Sequence, residues 1–97
     1  MKKLFNLLRG RIELPATIKT HVLVTSSAQG EPLFFGRIQY VNFPRREVVV
    51  VQLKDKTLQE IKLHFFKFDN IVSIVRMVDG RIRIWIRDTK NYKTKRL

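Results

Sequence analysis

The chain has 97 residues, 44% of them hydrophobic, which suffices for a single core and makes one domain. With no cysteine, a disulfide framework, thiolate chemistry and a Cys-type zinc site are excluded. Twenty Lys and Arg against eight Asp and Glu give a formal charge of +12, more than solubility asks of so small a domain. Such an excess points to a polyanionic partner: nucleic acid first, an anionic membrane surface next, an acidic protein third.

In chain order, residues 2–9 place Leu4, Phe5, Leu7 and Leu8 at helical spacing and stop at Gly10, which predicts one short amphipathic helix. This basic, interrupted start is too short for a signal peptide, and no segment approaches the roughly 18 apolar residues of a membrane span, so the expected location is cytoplasmic. After Pro15, residues 17–26 are rich in β-branched side chains and alternate as a strand. The run Ala28-Gln29-Gly30-Glu31-Pro32 reads as a loop, and residues 33–43 as a long second strand in which Gly36 signals a bend or bulge. Pro44-Arg45-Arg46 is a turn. Residues 47–53 are apolar on both faces, as a strand buried on two sides requires. Residues 57–66 form a fourth strand, 67–70 break the run, and 71–78 form a fifth.

The most telling stretch is Arg81-Ile82-Arg83-Ile84-Trp85-Ile86-Arg87, whose alternation puts three isoleucines on one face and three arginines with an indole on the other. A two-residue turn at Asp79-Gly80 is expected to fold it back onto residues 71–78 as a hairpin. Beyond residue 88 the chain is basic with almost no apolar residues, and residues 89–97 read as a flexible tail. The expected architecture is therefore a mainly β single domain over residues 1–88. It is a small antiparallel barrel of the SH3 or Sm type, with five to six strands and a short N-terminal helix.

The segments Gly36-Arg37-Ile38-Gln39-Tyr40-Val41, Arg46-Glu47-Val48-Val49-Val50-Val51, Ile61, and Phe66-Lys67-Phe68-Asp69-Asn70-Ile71-Val72-Ser73-Ile74 resemble the YolD-like family, small bacterial proteins with an Sm-like barrel. The resemblance spans residues 36–74. It implies a companion of an error-prone, lesion-bypassing DNA polymerase in a Gram-positive bacterium or its mobile elements, with no catalytic motif to carry over. Two parts of the chain depart from the family: the short segment 1–15 and the extra strand at 79–87. Ring-forming RNA binders share the Sm-like fold, but the tyrosine-lysine-histidine run of the bacterial RNA chaperones has no counterpart here.

Catalysis finds little support in the residues. His21 and His64 lie on separate strands, and Asp55, Glu60, Asp69, Asp79 and Asp88 are scattered, mostly through turns, where aspartate is ordinary. Asp69 reads as the cap of a one-turn helix. Gly30, Gly36 and Gly80 build no phosphate-cradling motif, so no cofactor or small-molecule substrate is expected. What remains is a binding module. Arg81, Arg83 and Arg87 are the expected phosphate contacts, and Trp85 stacks either on an unpaired base or on a guanidinium. Arg45 and Arg46 in their turn, and Lys90, Lys93, Lys95 and Arg96 in the tail, extend that basic surface; Tyr40 and Tyr92 are weaker stacking candidates. A second reading is an assembly module, in which Leu4, Phe5 and Leu8 dock on a protein partner, or edge strands join copies into a dimer or ring. The same apolar helix face equally suits a cap on the open end of the barrel.

Overall fold

The computed structural model describes residues 21–54 and 57–97. They form seven strands: β1 (His21–Ser26), β2 (Pro32–Asn42), β3 (Glu47–Leu53), β4 (Glu60–Lys67), β5 (Ile71–Arg76), β6 (Ile82–Ile86) and β7 (Lys93–Arg96). A 3-10 turn, Phe68–Asn70, separates β4 from β5. The order across the sheet is β5-β6-β1-β2-β3-β4-β7. The mainly β expectation holds, but seven strands replace five to six, and the sheet is mixed because β1 and β6 run parallel. The helix expected over residues 2–9, with Leu4, Phe5 and Leu8, lies outside the described residues.

Register explains the parallel pair. The β5–β6 hairpin presents Ile82, Ile84 and Ile86 on its inner face, and pairing Val22 with Ile82 and Val24 with Ile84 stacks these against the inner face of β1. The hairpin loop is longer than the two-residue turn expected. Met77 N–H donates to the Arg81 carbonyl at 2.6 Å, leaving three residues in the loop, with Gly80 supplying the positive φ of 90° that such a loop needs.

The sheet rolls around one core. Val22, Val24, Ile38, Val48, Val50, Phe66, Phe68, Ile71, Ile74 and the three isoleucines of β6 are all buried in a single cluster that joins strands from both ends of the sheet. Extents of 32 × 29 × 27 Å fit a rolled sheet better than a flat one. Along β3 both faces are buried, as its unbroken valine run predicts, with Val49 and Val51 facing away from Val48 and Val50. Gly36 sits where two strands approach closely: a Cβ there would collide with the Val51 carbonyl oxygen. The bulge in β2 falls between Ile38 and Tyr40, three residues on from the glycine expected to mark it.

Residues 89–97, read as a tail, carry β7, which pairs antiparallel with the outer edge of β4 from Phe65↔Lys93 to Lys62↔Arg96. Every residue of β7 is exposed, so the strand needs no apolar face and leaves no hydrophobic pattern in the sequence. It is tied instead by backbone pairing and by Tyr92, which packs against the core just before it. Lysines on such an edge also discourage pairing with further strands.

Candidate nucleic-acid interface

The alternation in β6 is realised in full. Ile82, Ile84 and Ile86 are buried, and Arg83 and Trp85 point to the outer face of the sheet beside Leu23 and Thr25 of β1. Yet the flanking arginines do not join them. Arg81 lies in the hairpin loop with its Nε 3.6 Å from Asp79, and Arg87 follows the strand and donates from Nη1 to the Asp69 carbonyl at 2.7 Å. The Arg83 guanidinium stands 5.3 Å from the Trp85 ring centre, so of the two roles open to this indole, the structure fills the guanidinium one. Arg83 Nε and Thr25 Oγ1 are buried without a hydrogen-bond partner among the described residues.

The cations gather elsewhere, at the seam where the 3-10 turn carries the chain from the end of β4 to the start of β5. The turn before β3, the 3-10 turn and the segment after β6 are stitched together there. Phe68 N–H donates to the Arg46 carbonyl, and Arg87 N–H to the Asn70 carbonyl. The Asn70 side-chain amide exchanges two hydrogen bonds with the backbone of Asp88, at 3.0 and 2.6 Å. This convergence places exposed Arg45, Arg46, Lys67, Arg87, Lys90 and Lys93 around one end of the molecule. Arg46 has a φ of 55°, and its guanidinium lies over the Phe68 ring at 5.3 Å. Glu47, 4% exposed, accepts from both Arg45, at 3.4 Å, and Lys67, at 3.2 Å, which satisfies a carboxylate that burial would otherwise penalise.

An open cleft of about 450 Å³ lies at this seam, lined by Glu47, Phe65, Lys67, Asp69, Asn70, Asp88, Asn91, Tyr92 and Lys93. Lys93 Nζ sits over the Phe65 ring at 5.0 Å. Asp88 Oδ1 accepts from the backbone N–H of Lys90 and of Asn91, at 2.9 and 3.0 Å, which shapes the loop into β7. Those two backbone donors hold the exposed Asp88 carboxyl below its ordinary range. Asp69 lies inside the one-turn helix it was expected to cap. Lys67 takes the cap position without a side-chain bond, and the Asp69 carboxylate has no partner among the described residues.

Tyr92, one wall of the cleft, is fixed from behind. His64, 5% exposed, is stacked on Phe34 with ring centres 4.0 Å apart. Its Nε2 faces Gln52 Oε1 and its Nδ1 faces the Tyr92 hydroxyl, each at 2.8 Å. Gln52 Oε1 is an acceptor, so the neutral ring carries its proton on Nε2 and accepts the tyrosine O–H at Nδ1. Burial first, and the nearby Lys62 charge second, lower the His64 pKa to about 4. Burial also raises that of Tyr92, keeping the hydroxyl a donor.

Of the residues expected to form the basic surface, the structure brings Arg45, Arg46, Arg87, Lys90 and Lys93 together at the seam. Lys95 and Arg96 continue from it along exposed β7, while Arg81, Arg83 and Trp85 stand apart. Lys67, Phe65 and Asn91 also line the cleft without having been singled out in the sequence; the break in the strand pattern at residues 67–70 signals Lys67 alone. No helix among the described residues is long and apolar enough to cross a membrane. Comparisons with protein-family models, with curated proteins and with solved structures find no match to this chain.

Proposed function

We propose that this protein is a non-catalytic, basic module that binds nucleic acid through the cationic seam and the adjoining strand β7. The observation that carries the reading is the convergence at one end of Arg45, Arg46, Arg87, Lys90 and Lys93, all exposed. Of these, only Arg45 is ion-paired among the described residues. Charges of one sign gathered on one surface raise the local concentration of a polyanion and release its counterions on contact. In the finer fold reading, the rolled sheet is a variant of the small Sm- or SH3-like barrel, supported by its single enclosed core and by the glycine in its long second strand. The resemblance to the YolD-like family adds a context, that of an accessory to an error-prone DNA polymerase in the cytoplasm of a bacterium. The test is a titration of the protein, and of an Arg46/Arg87/Lys93→Ala variant checked for folding, against short single- and double-stranded DNA and RNA at two salt concentrations. Tight, salt-sensitive binding that the variant loses is the expected result; absence of binding at low salt would sink the reading.

One observation favours a second reading, an assembly module. Strand β5 is an edge that pairs only with β6 among the described residues, and its Val75 is 46% exposed, with Arg76 the one charged side chain on the strand. Such an edge suits a second copy of the chain or an acidic protein partner. A concentration-dependent mass in sedimentation, abolished by Val75→Lys, is its signature.

A further inference from the structure

The seam holds carboxylates where a purely phosphate-binding surface should have none. Glu47, Asp69 and Asp88 line one cleft of a chain with only eight acidic residues. Two of the three are already engaged: Glu47 with Arg45 and Lys67, Asp88 with two backbone N–H groups. Among the described residues Asp69 is not; only its backbone carbonyl is used there, by Arg87. The cleft therefore combines an acceptor-only group, an aromatic wall and a rim of cations, and its volume of about 450 Å³ falls within the range of small-ligand sites. A phosphate is repelled by Asp69 and held by the rim. A neutral group rich in N–H donors is drawn to it.

Among nucleobases that description selects one. Guanine presents N1–H and the N2 amino group side by side, and a carboxylate accepts from both at once. Adenine and cytosine each offer one donor beside an acceptor, and thymine or uracil offers one N–H between two carbonyl oxygens that a carboxylate repels. We propose, resting on the nucleic-acid reading above, that the seam cleft takes one unpaired guanine of a single strand. Asp69 accepts from its N1–H and N2 amino group, the Tyr92 and Phe65 side flanks the ring, and Lys67, Lys93 and Arg87 meet the neighbouring phosphates. The side chain of Tyr92 is preset for this by its bond to His64, which costs the complex no further ordering at that wall.

The test measures fluorescence anisotropy of labelled 12-mers, in DNA and in RNA. Each is an all-thymine or all-uracil strand or the same strand with one central guanine, adenine, cytosine or hypoxanthine. Guanine is expected to tighten binding by about tenfold over the uniform strand. Hypoxanthine, which lacks the N2 amino group, should fall between, and Asp69→Asn should erase the difference. Equal affinity for all the strands, with binding itself intact, overturns the guanine site and leaves the nucleic-acid reading standing. Failure of every strand to bind at low salt overturns the guanine site, and it overturns the nucleic-acid reading as well only when duplex DNA and RNA also fail to bind. A guanine preference that persists in Asp69→Asn removes Asp69 from the site and with it the proposal.

Discussion

His64 and Tyr92 are joined behind the cleft by a 2.8 Å hydrogen bond between a buried imidazole nitrogen and a phenolic hydroxyl, and that bond anchors the last strand of the sheet. His64 belongs to β4, which β7 borders; Tyr92 immediately precedes β7. Its ring also packs 4.6 Å from that of Phe66, itself fully buried. One side chain thus connects the core to an exposed edge strand that has no core contacts of its own.

The first prediction concerns acid. A histidine whose pKa is about 4 in the folded protein and near 6.5 when unfolded binds fewer protons folded than unfolded between those values. Stability therefore rises with pH across this window: the His64 contribution is complete above about pH 6.5 and falls away as pH drops towards 4. The loss approaches about 3 kcal/mol at its limit. Urea unfolding at pH 7, 5.5 and 4.5 checks it, and a wild-type midpoint that does not move between pH 7 and 4.5 contradicts it. Asp88, lowered from an ordinary value of 3.8, weakens the fold only below this range, so the two effects separate.

Tyr92→Phe removes one hydroxyl and leaves His64 Nδ1 buried with no donor. The cost is about 1–2 kcal/mol, since an unsatisfied buried acceptor loses more than the net value of a hydrogen bond. Because the tyrosine O–H no longer competes for the nitrogen, the acid sensitivity of His64 should also change, which a repeat of the pH series would detect. Unchanged stability at pH 7 means the bond contributes nothing.

Gly36→Ala should destabilise the fold by about 1–3 kcal/mol, because the added methyl meets the Val51 backbone carbonyl, which cannot rotate away as a side chain would. Gly30, whose Cβ position is open, is the control: its substitution is strained only through its φ of 73°. Thermal melts of both variants measure the difference, and a Gly36 variant as stable as wild type shows that β2 and β3 can shift apart at no cost.

How far the sequence spoke depends on which groups hold each element. The strands around the core were legible because burial on one face writes a period of two, as in Ile82, Ile84 and Ile86, and burial on both faces writes an unbroken apolar run, as in the valines of β3. Strand β7 was not, since all of its side chains are exposed and its pairing is made by backbone groups that every residue carries. The seam was half legible. Arg45, Arg46, Arg87, Lys90 and Lys93 were recognised as basic residues, but nothing local tells that a turn near residue 45 meets a strand end near residue 87. The 3-10 turn makes that contact, through Phe68 to Arg46 and Asn70 to Arg87. The Arg-Trp strand has the alternation its sequence shows, while the arginines at its ends bond to Asp79 and to the Asp69 carbonyl, partners that no local pattern announces.

Salt dependence distinguishes the two basic surfaces. For a phosphate-contacting cation, each substitution to glutamine should lower the slope of log K against log salt by about one. Lys95→Gln and Arg96→Gln, on a strand exposed along its whole length, are expected to do so with little effect on the melting temperature. Arg83→Gln is expected to do the reverse. Its guanidinium is half-buried over Trp85, so losing it should lower the melting temperature while leaving the slope intact. If instead Arg83→Gln flattens the salt dependence and the β7 variants leave it unchanged, the nucleic acid runs along β6, and the seam yields its place to the Arg-Trp face.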